Sequence, residues 1–179
     1  LGPDGEKMSK SKGNVINPND CEMSFSIGGH PAFMCPLTPN YRQTSCYLHF
    51  DQSEGLEYNL LSENGLCLPD FYNLDTDDGY VQITSDFFDK DALVFYNDRL
   101  RSVSLAGPDK KDYLKVTFDA PVYGIWSAKG KHAPFVCIEP WYGRCDDEDF
   151  NGTWQERKFS NELEAGESFE AGYTIEVLE

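Results

Sequence analysis

The sequence has 179 residues, 40% of them hydrophobic and 14% aromatic, which is enough for one globular domain with a sizeable core and too little for two large ones. Thirty-one acidic residues against fifteen basic ones give a formal charge of -16, a potential that repels phosphate backbones and anionic lipid, so neither nucleic acid nor a membrane is expected as a partner. No run approaches the roughly 20 apolar residues of a transmembrane helix, and the polar start Leu1 to Asn19 has no apolar signal-peptide core, so a cytoplasmic protein is expected.

In chain order, residues 1–20 come first and differ from the rest. They have little apolar content and no alternation, and their charges cancel, so they are expected to form a loop or an ordered-on-binding segment outside the main structural unit. From there on, period two dominates. Strands are expected at Glu22 to Ile27, Cys46 to Phe50, Tyr80 to Thr84, Ala92 to Phe95, Leu114 to Phe118, Val122 to Trp126, Phe135 to Ile138 and Phe169 to Val177. Turn signals separate them at Asn64-Gly65, Asp78-Gly79, Gly107-Pro108-Asp109 and Ala165-Gly166. No window has the periodicity of an amphipathic helix. Many short strands without interleaved helices point to an all-β antiparallel sandwich or barrel, with residues 21–179 as its domain. The six cysteines include no CxxC pair, and several sit in apolar runs, as structural thiols do.

Three short patterns bear on chemistry. Asp4-Gly5-Glu6-Lys7-Met8-Ser9-Lys10-Ser11-Lys12-Gly13 resembles the KMSKS loop of class I aminoacyl-tRNA synthetases, the leucyl enzymes above all. The resemblance implies contact of Lys7 and Lys10 with ATP phosphates, a lysine serving as a point charge on a developing anion. The nucleotide-binding domain and HIGH-type motif that such a loop works against have no counterpart here, so a remnant of a synthetase joined to a different domain is the expectation. Asp147-Glu148-Asp149-Phe150-Asn151-Gly152 opens like a calcium loop, but Lys158 stands where the bidentate glutamate is needed, so a solvated acidic loop is expected instead. Asn151-Gly152-Thr153 is a glycosylation sequon without a secretory signal to give it meaning.

The remaining pattern is spread along the chain. Phe25-Ser26-Ile27-Gly28-Gly29-His30-Pro31-Ala32-Phe33, Phe88-Asp89-Lys90-Asp91-Ala92-Leu93-Val94-Phe95, Val136-Cys137-Ile138-Glu139-Pro140-Trp141-Tyr142-Gly143 and Leu163-Glu164-Ala165-Gly166-Glu167-Ser168-Phe169 follow one another in that order. Together they resemble the second half of the aldose 1-epimerases, a galactose mutarotase-like family, in its bacterial LacX-like branch. The resemblance implies a two-sheet supersandwich of which this chain supplies roughly the second half. It also implies mutarotation of a free aldohexose, with His30 as the acid, Glu139 as the base and Asp91 holding sugar hydroxyls, and with no metal or other cofactor. The chemistry suits these residue types. A histidine titrates near neutrality and can protonate a ring oxygen, while a carboxylate in a partly desolvated cleft can take the anomeric proton.

Each residue also has a plainer reading from the sequence alone. His30, between Gly29 and Pro31, fits a turn histidine bonded to backbone, Glu139 fits a solvated strand end, and Asp91 fits a solvated loop beside Asp86 and Asp89. Trp126, Trp141 and Tyr142 fit either sugar stacking or core packing, with Trp126 the foremost candidate for the sugar. His49 and His132 carry no motif and read as surface or packing residues. In the family the first half contributes an arginine and a further histidine to the sugar, and residues 1–20 hold no substitute. Exposed sheet edges, self-association through them and impaired turnover are the corresponding expectations. A carbohydrate-binding half-domain without turnover is the alternative reading.

Overall fold

The alternating segments form strands, and the strands build an all-β structure. A computed structural model describes residues 21–96, 100–131 and 133–179. The KMSKS-like segment with Lys7 and Lys10, and also His132, lie outside the described residues. Among the described residues fourteen strands run β1 (Met23–Phe25), β2 (Ile27–Gly28), β3 (Ala32–Met34), β4 (Tyr47–Phe50), β5 (Glu57–Leu61), β6 (Cys67–Asn73), β7 (Tyr80–Gln82), β8 (Leu93–Tyr96), β9 (Ser102–Ala106), β10 (Asp112–Phe118), β11 (Val122–Trp126), β12 (Phe135–Tyr142), β13 (Asn161–Leu163) and β14 (Tyr173–Val177). The helical content of the described residues is two 3-10 turns, Gln43–Ser45 and Trp154–Glu156, and no helix is long and apolar enough to cross a membrane.

All the strand ladders are antiparallel. A five-stranded sheet runs β14-β10-β9-β4-β7. A seven-stranded sheet runs β2-β12-β11-β8-β5-β6, with β3 also on β12, and β1 pairs with β13. The two larger sheets face each other across the core. Leu48, Phe50, Val103, Leu105, Val116 and Phe118 come from the first, and Leu93, Phe95, Tyr123, Ile125, Val136 and Ile138 come from the second. The rings of Phe95 and Tyr123 stack 4.9 Å apart, and Phe50 leans on Phe95 at 5.6 Å, so aromatic contacts join the sheets across the middle. Burial pushes the Tyr123 phenol well above its ordinary range.

Register gives the seven-stranded sheet a second face. Cys137, Glu139 and Trp141 on β12 stand opposite Trp126, Gly124 and Val122 on β11, and Gly124 stands opposite Val94 on β8. These residues alternate with the core residues, so they face away from the other sheet. Part of this outer face is apolar, with Cys67, Val94 and Val122 buried under Leu61, Tyr96, Trp141 and Cys145.

Several expected strands have different bounds, each for a local reason. Glu22 to Ile27 divides at Ser26 because β1 pairs with β13 while β2 pairs with β12. Phe135 to Ile138 extends through Pro140 to Tyr142. Phe169 to Val177 forms a strand only from Tyr173, and Phe169 packs edge-on against Phe25 and Tyr142 instead. Nor is β14 half-buried, as its alternation suggested. It is the edge of its sheet and is exposed throughout, with Ile175 at 47% and Val177 at 80%.

The acidic loop is also not merely solvated. Asp147 pairs with Arg144 at 2.6 Å and Lys158 at 2.8 Å, and Asp146 pairs with Arg157 at 2.6 Å. Its backbone docks on the start of β6, the Cys67 amide donating to the Asp146 carbonyl and the Glu148 amide to the Cys67 carbonyl.

Candidate active site

His30 reaches its position because the ladder on β12 is interrupted. β3 pairs along Phe135 to Cys137 and β2 along Trp141 to Tyr142, leaving residues 29–31 opposite the stretch around Glu139 and Pro140. Proline has no amide hydrogen, so neither Pro31 nor Pro140 can donate to a ladder there. The Gly29 amide still donates to the Pro140 carbonyl at 2.9 Å, which anchors the loop. The loop thus passes over Glu139 without covering it with a strand.

Glu139 lies in the interior of β12 rather than at a strand end in solvent. It is 4% exposed, whereas the His30 side chain is 63% exposed, and His30 Nδ1 lies 3.2 Å from Glu139 Oε1. Burial raises the Glu139 pKa to about 7, opposed by the charge of His30 and a hydrogen bond from Trp141 and assisted by the charge of Asp91. The carboxyl group therefore changes protonation near neutral pH, as a general base working there must.

Neighbouring residues keep this arrangement in place. The Trp141 indole lies across two glycines. A Cβ added at Gly124 would stand 2.6 Å from the six-membered ring, and one at Gly28 would stand 2.6 Å from Cδ1. Any side chain at either position would push the indole off the sheet beside Glu139. Trp126 meets the His30 imidazole edge to face, with centroids 5.7 Å apart.

Asp91 is exposed, with φ at +69°, an uncommon conformation for a residue other than glycine. Its amide donates to the Phe88 carbonyl, and its carboxylate accepts from the Ala92 amide at 2.7 Å. Its charge adds to the rise in the Glu139 pKa.

Of the sequence-derived candidates, then, His30, Glu139 and Trp126 come together, whereas the hydrogen bonds of Asp91 are to Phe88 and Ala92. His49 is elsewhere, with Nδ1 2.7 Å from Asp112 and its ring stacked on Tyr80. Two neighbours of Glu139 escaped the sequence reading. In sequence Trp141 fits either stacking or core packing, and Cys137 fits a structural thiol. Their spacing of two from Glu139 within one strand was the available signal, since it puts all three on one face.

The pair opens on a cavity of about 440 Å3, bounded by residues 26–30, Leu61, Gly65, Trp141 and residues 143–145. That volume lies within the roughly 300–1,000 Å3 of small-molecule sites. Larger hollows occur near Tyr41 and Tyr113, at about 520 Å3, and between β2 and residues 169–173, at about 580 Å3. Neither contains a histidine beside a buried carboxylate, so the chemistry rather than the size singles out the smaller cavity. Among the described residues, His30, Cys137 and Glu139 also bring three potential metal-ligand atoms within 4.8 Å of one another.

Comparison with known proteins agrees with this architecture. The chain superposes on a galactose mutarotase related enzyme from Lactobacillus acidophilus with a TM-score of 0.78 and 28% identity, covering 89% of this chain and 54% of that one. It therefore has a galactose mutarotase-like fold. It is 32% identical over 124 residues to the chromosomal protein LacX of Lactococcus lactis, covering 68% of this chain and 41% of LacX. The chain thus spans less than half the length of LacX. A short stretch of 25 residues, 14% of this chain and 3% of the relative, is 81% identical to the leucine–tRNA ligase of Clostridium kluyveri. No protein-family model matches the sequence.

Proposed function

We propose that residues 21–179 are an aldose 1-epimerase-type domain of the LacX-like branch that interconverts the α and β anomers of a free aldohexose. The observation that carries this reading is the contact of His30 with the buried Glu139 at the open end of a cavity. The two oxygens that exchange protons in mutarotation hang on the same carbon. An acid and a base that serve both must therefore be neighbours, and these two are 3.2 Å apart.

In the forward step the Glu139 carboxylate takes the proton of the anomeric hydroxyl while the His30 imidazolium protonates the ring oxygen. The bond from C1 to the ring oxygen breaks, and C1 becomes an aldehyde carbon. Rotation about C1–C2 presents its other face, the ring oxygen attacks again, and both protons return. Nothing is consumed, and neither an oxidant nor a nucleotide takes part. Asp91 accepts hydrogen bonds from sugar hydroxyls, and Trp126 offers an aromatic face to the apolar side of the ring.

Polarimetry on freshly dissolved α-glucose and α-galactose tests the reading. Glu139→Gln is expected to lower kcat by about 10²–10⁴, and His30→Ala by a similar factor. Asp91→Asn and Trp126→Ala are expected to raise KM about tenfold with less effect on kcat. Because Glu139 acts in its ionised form, kcat/KM falls as pH drops through about 7. A parent chain no faster than the double variant His30→Ala, Glu139→Ala overturns the proposal. Saturable sugar-induced NMR shifts in such an inactive chain would establish the non-catalytic carbohydrate-binding alternative.

A further inference from the structure

The acid–base pair has a third neighbour that mutarotation does not use. Cys137 lies two residues before Glu139 on β12, on the same face, and is 1% exposed. It belongs to neither apolar cluster of the described residues. Its thiol, the Glu139 carboxylate and the His30 imidazole each present a donor atom within 4.8 Å of the other two.

We propose that His30, Cys137 and Glu139 form a binding site for a thiophilic divalent cation of the zinc class, which occupies the acid–base pair and holds it out of reaction. The first part rests on geometry alone, whereas the inhibitory consequence rests on the catalytic reading above.

Tetrahedral zinc with bonds of 2.0–2.3 Å sets its ligand atoms about 3.3–3.8 Å apart. The separation of His30 from Glu139 is already 3.2 Å, and closing the widest gap in the set takes a movement of about 1 Å. Two of the donors are fixed by one strand, while the third is an exposed side chain free to make that adjustment. A nitrogen, a sulfur and an oxygen together also favour zinc or cobalt over magnesium or calcium, which take oxygen sets. Finally, three protein ligands leave a fourth position for water to complete the shell. The charge of -16 and the Asp91 carboxylate, whose charge is felt at Glu139, favour a cation at this place. Binding releases the thiol proton, and the carboxyl proton where present, to solvent.

Titration of the reduced chain with Co²⁺ decides the matter, because a thiolate ligand produces a sulfur-to-cobalt charge-transfer band that needs no turnover to be seen. The expected result is a one-to-one complex with that band. Cys137→Ser abolishes the band, His30→Ala weakens binding about tenfold or more, and Cys67→Ser with Cys145→Ser leaves it unchanged. Exposed His30 keeps the test valid even if Cys137→Ser fails to fold. The absence of a band in the parent, or a band that survives Cys137→Ser and disappears with the Cys67 and Cys145 variants, overturns the proposal. Zn²⁺ is further expected to suppress mutarotation in the parent, reversibly by chelator, and not in Cys137→Ser. A chain that turns over sugar but binds no cobalt leaves the catalytic reading standing, and a chain that binds cobalt without turnover leaves the metal site standing.

Discussion

A carboxyl group inside a sheet stays ionised only where something compensates the lost water, and Glu139 is compensated only in part. The imidazole of His30 and the indole of Trp141 favour its charged form, yet burial outweighs them and raises its pKa from an ordinary 4.5 to about 7. The folded chain therefore holds a proton there that the unfolded chain releases between those two values. Stability from this group is complete below about pH 4.5 and is lost as pH rises through about 7. Glu139→Gln removes that loss. In urea unfolding followed by tryptophan fluorescence, the variant is expected to exceed the parent by on the order of 2 kcal/mol at about pH 8 and to match it at about pH 4. The same substitution that removes the proposed base should thus stabilise the fold, as expected where a site is built at the expense of stability. His30, Asp91 and Glu139 were legible in the sequence because each sits in a short local pattern. The protonation of Glu139 was not, because the water excluded from it is displaced by β11, the loop at residues 29–31 and Trp141 together.

At the scale of elements, β12 does most to organise the site. One of its faces supplies Val136 and Ile138 to the core, and the other supplies Cys137, Glu139 and Trp141 to the cavity side. Gly124 on β11 gives the indole room. Gly124→Ala is expected to cost about 1–3 kcal/mol, read as a lower Tm, and to lower kcat as the indole is displaced from Glu139. The chain beyond β12 is held by Arg144, whose side chain is 2% exposed, bonds the Cys145 carbonyl and Asp147, and lies over the Tyr96 ring. Arg144→Ala breaks a buried pair, for which the usual cost is about 3–5 kcal/mol. Because Lys158 still meets Asp147, the lower end is expected in chemical denaturation.

β6 is hidden in the sequence because it contains Pro69 and Asp70, residues that argue against a strand. The strand forms because it is an edge and because its register with β5 shifts beside the proline, where the Asn59 side chain donates to the Asp70 carbonyl at 2.8 Å. β9 is hidden for the opposite reason. Ser102 to Ala106 is central in its sheet and buried at every position, so its serines give no sign of a wet face.

On the scale of the whole molecule, the large negative charge and the exposed edge act in opposite directions. Among the described residues β14 has one neighbour, β10, and it presents Tyr173, Ile175 and Val177 to solvent, a surface suited to pairing with another copy. The charge of -16 repels copies from one another and is screened by salt. Sedimentation is therefore expected to show association that grows with both protein and salt concentration, and Ile175→Lys with Val177→Lys is expected to abolish it. Unchanged association in that variant would exclude β14 as the contact. The sequence by itself determined that the chain is all-β, since alternation and turn residues are local and fix which side chains share a face. It also determined which histidine and carboxylates to test. Only the tertiary structure decided which faces meet the core, where water is excluded, and that His30, Cys137 and Glu139 converge. Those outcomes depend on contacts between segments far apart in the chain, and no local spacing encodes them.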